Sequence, residues 1–385
     1  MFPNALTMNL LQMLQLHGQS IWLDRYDREM VISGQLQQYL DDEVRGIVSN
    51  FSSIERSLRA SQYDRDFQAM AEQMDVPSLY KLIIVREMQL AAERFKEVHD
   101  QTDGKDGYVN LDLPPHVVSD AESMLTEARR LWRQIGWSNL MLNIPVAPET
   151  LLVIQQLIGE GINVNVTQVV SFADYKQVTE AYLAGLEAFA AQDGAIHKIA
   201  SVASVPVSRL DAAILTHLKI PRSKQEWQVL EGVATSALHN FVGIAQAKML
   251  YQQYRDFYRN GDTCSFARRW QTLAERGAHP QRLAWVVADR KTAALTQHYV
   301  ESLMGSGTVM VLSPTQLAMG YEENSLRSSL TEDLETAYQT LVSRSQSGVS
   351  LDQVAQYLRF DEQARTQASF EQLLRIIEQK TSLLS

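Results

Sequence analysis

Asn139-Leu-Met-Leu-Asn143-Ile-Pro-Val146 is a short apolar run of strand-forming residues that carries one polar side chain near its end. Seven other segments resemble it, and most of them end in one small polar residue. They are Ser20-Ile-Trp-Leu-Asp24, Gly46-Ile-Val-Ser-Asn50, Tyr108-Val-Asn-Leu-Asp112, Asn163-Val-Asn-Val-Thr167, Ala200-Ser-Val-Ala-Ser204, Arg282-Leu-Ala-Trp-Val-Val287 and Thr308-Val-Met-Val-Leu-Ser313. Helical patterns separate these runs, and eight runs are the count of a closed (β/α)8 barrel of the TIM type. Because chemistry in that fold sits at the carboxyl ends of the strands, the terminal polar residues are candidate site residues.

The chain of 385 residues is long enough for one large domain or two ordinary ones. Two intervals between strands, about 51–106 and 210–277, are long and helical in pattern, and more helices follow the last strand. No solenoid repeat and no linker is visible. We therefore predict one α/β domain, residues 1–385, with helical insertions in those two intervals. Ser350 is the predicted N-cap of a C-terminal helix.

The composition predicts a globular protein that meets neither nucleic acid nor membrane. The apolar fraction is 45%, the charged fraction 21% and the net charge −10, and there is no run of Lys and Arg. No apolar stretch has the length of a membrane span, and the N-terminus lacks the basic region of a signal peptide. The single cysteine, Cys264, fits a reducing compartment, so we predict a cytoplasmic location. The eight histidines show no metal-ligand spacing, and we predict no metal and no cofactor.

Several blocks along the chain resemble those of the transaldolase family, in its longer bacterial form. The blocks are Gly18-Gln-Ser-Ile-Trp-Leu-Asp24, Arg45-Gly-Ile-Val-Ser-Asn50, Asp106-Gly-Tyr-Val-Asn-Leu-Asp112, Asn139-Leu-Met-Leu-Asn143-Ile-Pro145, Gly161-Ile-Asn-Val-Asn-Val-Thr167 and Ser201-Val-Ala-Ser-Val-Pro-Val-Ser-Arg209. Each block is modest by itself, but their order and spacing are specific and cover essentially the whole chain. The resemblance implies a (β/α)8 barrel that binds a small-molecule substrate.

The resemblance also assigns catalytic positions, one of which is altered. The family cleaves ketoses through a Schiff base that a lysine on the fourth strand forms, and Asn143 stands at that position. An amide nitrogen is not a nucleophile, so the chain is predicted to be a divergent member without the Schiff-base lysine. Asp24 matches the family's acid–base aspartate, and Asp112 stands in place of a glutamate that handles a water molecule.

The predicted substrate-binding residues are the small polar residues at the barrel mouth and two cations. They are Asn50, Thr167, Ser204, Arg209 and Lys291. The two cations match basic residues of the family, whereas Ala284-Trp-Val-Val-Ala288 lacks the hydroxyl groups that the family places near the sugar phosphate. A phosphorylated or otherwise anionic substrate therefore remains compatible with the chain, with weaker binding expected.

Each catalytic candidate also has a purely structural interpretation. Asp24 could cap the next helix, and Asp112 could pair with Arg209 or hydrogen-bond a loop. Asn143 could be a polar plug that satisfies Asp24 where a lysine once did.

Three hypotheses on function follow, and they leave open whether the chain is an enzyme. The first is a repurposed enzyme of specialised metabolism, in which Asp24 and Asp112 perform acid–base chemistry on a carbonyl compound or small anion. The second is a catalytically silent pseudoenzyme that binds a metabolite or a protein. The third, which ranks behind these two, is a weak true transaldolase that transfers dihydroxyacetone between sugar phosphates in the pentose phosphate pathway. The sequence makes no prediction of the oligomeric state.

Overall fold

The computed structural model describes residues 10–59, 74–217, 241–261, 264–288, 293–319, 327–346 and 350–384. Eight parallel strands close into a barrel in the order of the sequence, and the last strand pairs with the first. The strands are β1 (Ser20–Leu23), β2 (Val44–Val48), β3 (Tyr108–Asp112), β4 (Leu140–Pro145), β5 (Val164–Thr167), β6 (Ser201–Val205), β7 (Arg282–Val286) and β8 (Val309–Leu312). The predicted (β/α)8 barrel is confirmed.

Helices follow the strands and include those expected in the two long intervals. The α-helices described are Leu10–Leu16, Arg28–Ile32, Gln35–Asp41, Phe51–Arg59, Val76–Gln101, Ala121–Ile135, Leu151–Gly159, Phe172–Ala190, Val207–His217, Val242–Tyr258, Ser265–Ala274, Ala293–Ser302, Pro314–Leu317, Leu334–Gln346 and Leu351–Leu384. Short 3-10 turns occur at Pro115–Val117, Ile196–Lys198 and Ser329–Thr331. Residues 218–240 of the second insertion lie outside the described residues, and the assignment of 1–385 to one domain stays a prediction.

Local chemistry explains where several of these helices begin and end. The side chain of Asp120 accepts a hydrogen bond of 2.7 Å from the Ser123 backbone, and Ser350, the N-cap predicted from sequence, accepts one of 3.3 Å from Gln353. The sequence also indicated one crossover helix after β1, over Ser33–Leu40. The structure has the helix Gln35–Asp41 there, and Gly34, with a left-handed φ of 79°, separates it from a further short helix at Arg28–Ile32.

The barrel interior is filled by a layer of apolar side chains that is separate from the core between strands and helices. Its buried members are Trp22, Tyr108, Met141, Ala200, Val202, Ala284, Val309 and Val311. Gly46 is required beside this layer, because a Cβ atom there would lie 2.7 Å from the indole nitrogen of Trp22. Since side chains alternate along a strand, residues two places beyond an inward-facing one also point into the barrel. This rule places Asp24, Asp112, Asn143 and Ser204 above the apolar layer.

The amino-terminal end of the barrel is closed by a buried ion pair. Arg282 Nη2 donates to Asp106 Oδ1 at 2.7 Å, and both side chains are less than a tenth exposed. The Ser20 hydroxyl donates to the same carboxylate at 2.7 Å and accepts from Arg282 Nη1 at 2.8 Å. These bonds join β1, β7 and the turn before β3, and they satisfy charges that would otherwise be costly to bury.

Replacing Asp106 by alanine should destabilise the barrel, because the guanidinium of Arg282 would remain buried without its counter-charge. We expect a loss of about 3–5 kcal/mol in the free energy of unfolding, measured by urea denaturation with circular dichroism. Asp100→Ala is the matched control, since that carboxylate pairs with Lys96 on an exposed helix face and its loss should barely move the urea midpoint. Equal midpoints for the two variants would contradict a structural function of the buried pair.

Candidate active site

Four polar side chains form one hydrogen-bonded row across the carboxyl end of the barrel. Asn143 on β4 is the register partner of Asp112 on β3 and of Asn165 on β5. Asn143 Nδ2 donates to Asp112 Oδ1 at 2.7 Å, and Asn165 Nδ2 donates to Asn143 Oδ1 at 2.9 Å. Ser204 on β6 donates its hydroxyl proton to Asn165 Oδ1 at 2.7 Å. We call Ser204, Asn165, Asn143 and Asp112 the polar row.

The carboxylate of Asp112 determines which group donates and which accepts in each hydrogen bond of the polar row. An ionised carboxylate only accepts hydrogen bonds, so the Asn143 amide must turn its nitrogen toward Asp112 and its oxygen toward Asn165. Asn165 is oriented in the same way by Asn143, and the Ser204 hydroxyl completes the series. Asn143, Asn165 and Ser204 are buried, so each depends on these partners for its hydrogen bonds.

Burial raises the pKa of Asp112 to about 6, while the hydrogen bond from Asn143 acts in the opposite direction. Desolvation disfavours the charged form of a carboxyl group, and a donor to the carboxylate favours it. Because the pKa lies close to neutral pH, Asp112 can exchange a proton under conditions in which ordinary aspartates stay ionised. Asn143 therefore contacts a carboxyl group whose pKa is raised toward neutral pH.

The other predicted residues of the mouth lie around the polar row. Asp24 follows β1 directly, is half-buried, and donates its backbone N–H to Leu312 at 2.8 Å. Asn50 lies two residues beyond β2, where its side-chain oxygen accepts bonds of 2.9 and 3.1 Å from Ser53 and so caps the helix Phe51–Arg59. Thr167 ends β5 and is half-buried. Lys291 lies outside the described residues.

The structure contradicts the structural alternatives proposed from sequence. Asp24 is not the cap of the next helix, because Asp27 accepts the capping bond from Met30. Asp112 bonds Asn143 and not Arg209. Asn143 in turn bonds Asp112 and Asn165 in place of Asp24, since β4 lies beside β3 and β5 in the barrel.

Arg209 lies near the start of the helix that follows β6, where it contacts two acidic side chains of the C-terminal helix. Its Nη2 lies 2.9 Å from Asp361 Oδ2, and its Nη1 is hydrogen-bonded to Glu362. Burial lowers the pKa of this guanidinium from its ordinary value, but the group stays charged because arginine does not deprotonate in proteins. The predicted contact of Arg209 with a substrate stays a prediction.

One member of the polar row, Asn165, was not among the site residues predicted from the sequence. The alternation of side chains along a strand could have found it, because Asn165 lies two residues before the predicted Thr167 on β5. The end of β7 is apolar, as its sequence indicated, and Val287 there is buried.

Within the described ranges no three His, Cys, Asp or Glu side chains lie close enough to hold a metal ion. None of the described helices combines the length and apolarity that crossing a membrane needs.

A closed (β/α)8 barrel with an acidic, hydrogen-bonded row at the carboxyl ends of its strands defines a TIM-barrel protein with an enzyme-type site. Residues 21–377 match the Transaldolase/Fructose-6-phosphate aldolase family, and the chain belongs to that family. The resemblance seen in the sequence blocks is therefore confirmed.

Similar proteins match the chain over nearly its whole length. A protein named Transaldolase from Trichodesmium erythraeum (strain IMS101) is 32% identical over 376 residues, which are 96% of each chain. Transaldolase 2 from Nostoc punctiforme is 31% identical over 386 residues, covering 98% of this chain and 99% of the relative. Transaldolase from Thiobacillus denitrificans is 30% identical, covering 95% of this chain and 99% of the relative.

The raised pKa of Asp112 predicts a specific pH dependence of stability. A carboxyl group whose pKa is higher in the folded state stabilises the fold below its unfolded pKa of 3.8, and that contribution is lost as the pH rises through about 6. Asp112→Asn removes the titration, so the stability of the variant relative to the native protein should rise by roughly 1–3 kcal/mol between pH 4 and pH 7. Urea midpoints at constant ionic strength measure this difference.

Glu371→Gln serves as the control for that experiment, because Glu371 is an exposed carboxylate on the C-terminal helix. The difference in stability between Glu371→Gln and the native protein should not change over the same pH range. A pH-independent difference for Asp112→Asn would show that the carboxyl group titrates at its ordinary pKa.

Proposed function

We propose that the carboxyl end of the barrel binds a small carbonyl compound and acts on it by acid–base chemistry, without forming an imine. The observation that carries the proposal is the 2.7 Å hydrogen bond from Asn143 to Asp112, at the fourth-strand position where the family resemblance expects a lysine. An amide nitrogen does not attack a carbonyl carbon, so the proposed role of Asn143 is to orient Asp112. The chain is then a divergent transaldolase that has lost the Schiff-base lysine.

The properties of Asp112 support the acid–base part of the proposal. A general acid or base works best when its pKa lies near the working pH, and the pKa of Asp112 is about 6. Asn143 engages Oδ1, which leaves Oδ2 for the ligand. Protonated Asp112 would donate its proton to the carbonyl oxygen, while the carboxylate of Asp24 takes a proton from the neighbouring carbon. Asp24 then exchanges its proton with solvent and gives one back to the carbon, while Asp112 recovers the proton of the enol hydroxyl group, which restores the ketone and both residues.

The relatives support the substrate class. They are named transaldolases, and the family binds sugar phosphates in carbohydrate metabolism, so a ketose or a shorter hydroxyketone is the expected ligand of this chain. Asn50, Thr167, Ser204, Arg209 and Lys291 would line its site. A single domain, a cytoplasmic location and a place in specialised metabolism complete the proposal.

Two other functions compete with this one. The names of the relatives favour a weak transaldolase that uses a lysine elsewhere in the chain. The mutual hydrogen bonding within the polar row favours a silent binding protein, because its amide groups are already satisfied without a ligand.

Borohydride trapping separates imine chemistry from the proposed chemistry. The native protein, incubated with dihydroxyacetone and then sodium borohydride, should show no added mass by intact mass spectrometry. Asn143→Lys should show one reduced adduct, because burial at this position lowers the pKa of a lysine and so favours the free amine that attacks the carbonyl. Gln192→Lys adds a lysine at an exposed position and should give no adduct. An adduct on the native protein would establish the transaldolase alternative, and peptide mapping would locate its lysine.

Proton exchange tests the acid–base step directly. Dihydroxyacetone in D2O, followed by proton NMR, should lose the hydrogens next to its carbonyl faster in the presence of the native protein. Asp112→Asn should slow this exchange by about 10²–10⁴-fold, the usual contribution of a general acid or base. Native protein that binds the ketone but leaves its exchange rate unchanged would favour the silent binding protein.

A further inference from the structure

The C-terminal helix Leu351–Leu384 passes across the carboxyl end of the barrel. It packs against the helix Phe51–Arg59, which follows β2, and against the helix Val207–His217, which follows β6. β2 and β6 are four strands apart in a ring of eight, so the two contacts lie on opposite sides of the mouth. One helix that reaches both must cross this end.

Specific side-chain contacts hold the C-terminal helix on both sides of the barrel mouth. On the β2 side, the ring of Phe370 lies 5.2 Å from Phe51 and 5.1 Å from Tyr80, measured between centroids. The Ser52 and Ser369 hydroxyl groups are 3.0 Å apart. On the β6 side, the guanidinium of Arg209 contacts the helix, and Leu358 belongs to the same buried apolar cluster as Leu210. Asp361 and Ser369 are eight residues apart on the helix and therefore about 12 Å apart along its axis, which suits the width of a barrel mouth.

The β6 contact is a balanced cluster of charges. Asp361 lies 2.9 Å from Arg209 and also accepts a 2.9 Å bond from Arg365, while Glu362 takes the other end of the Arg209 guanidinium. One turn earlier, Arg359 lies 3.3 Å from Asp174, which begins the helix after β5. Three arginines thus meet three carboxylates, and their formal charges cancel.

We propose that Asp361 and Glu362 make the barrel mouth select against phosphorylated ligands, so that the site takes uncharged carbonyl compounds such as free ketoses. The planar donors of an arginine are well suited to two phosphate oxygens, but here both ends of the Arg209 guanidinium are already occupied by carboxylates. A phosphate meets no net positive charge at the cluster and has to displace two carboxylates. The inference rests on the proposed function only in placing the ligand at this end of the barrel.

The surroundings of Asp112 agree with this assignment. Burial dominates its pKa, and the group that opposes burial is the neutral amide of Asn143. A cation close enough to hold a phosphate beside Asp112 would lower the pKa of the carboxyl group, and none of the described residues contributes such an effect.

Neutralising the two carboxylates tests the proposal. In the double variant Asp361→Asn, Glu362→Gln, Arg209 keeps its position but loses its counter-charges, so inorganic phosphate should bind at least about tenfold more tightly than to the native protein. The affinity for dihydroxyacetone, which carries no charge, should change less than about twofold. Isothermal titration at constant ionic strength measures both. Glu371→Gln, on the exposed face of the same helix, is the matched control and should leave both affinities unchanged.

Adding Arg209→Gln to the double variant should abolish the gain in phosphate affinity, which assigns the gain to this guanidinium. Thermal melting of each variant checks that the helix stays docked through Phe370. Native protein that binds phosphate as tightly as the double variant would overturn the proposal, and so would a gain that survives Arg209→Gln. The phosphate result does not involve Asp112, so it stands or falls separately from the trapping and exchange experiments on the proposed function.

Discussion

The interior of a closed eight-stranded barrel is narrow, and alternate residues of every strand must share it. In this chain the lower part is filled by Trp22, Tyr108 and smaller apolar residues, with the Arg282–Asp106 pair beneath them. Polar side chains one layer higher therefore lie on a packed support and face the carboxyl end, which makes that layer the floor of the candidate site.

The polar row shows why the chemical identity of residue 143 matters beyond nucleophilicity. An amide group both donates and accepts hydrogen bonds, so Asn143 can donate one to Asp112 and accept one from Asn165. A lysine ammonium only donates, and Asn165 would then need another acceptor. The asparagine thus extends a pairwise contact into a row that joins β3, β4, β5 and β6. In a medium of low dielectric such a row is stable when every member is satisfied, and it holds Asp112 in one orientation.

The sequence predicted the fold well because each strand is a local apolar run and its boundaries need no knowledge of distant residues. Caps such as Asp120 and Ser350 are equally local. The hydrogen-bond and ion-pair partners of a side chain, in contrast, can lie far away in the sequence. The sequence-based partner of Asn143 was wrong, although the strand order of a barrel puts β4 beside β3 and would have favoured Asp112. The Arg209 partners lie 152 and 153 residues away on a helix whose path no local pattern encodes.

Arg209 illustrates how one residue can have two physical states that the sequence does not separate. Left without carboxylate partners it would attract anions, whereas paired with Asp361 and Glu362 it attaches the C-terminal helix across the mouth. The two acidic residues are adjacent on the helix, so together they reach both ends of one guanidinium, and Arg365 balances the charge of Asp361 from the next turn. The net charge around Arg209 is therefore set by a helix outside the barrel, and under the proposal this is the charge that a ligand meets. Changes on that helix can alter the class of ligand while the strands, the polar row and Asp112 stay as they are.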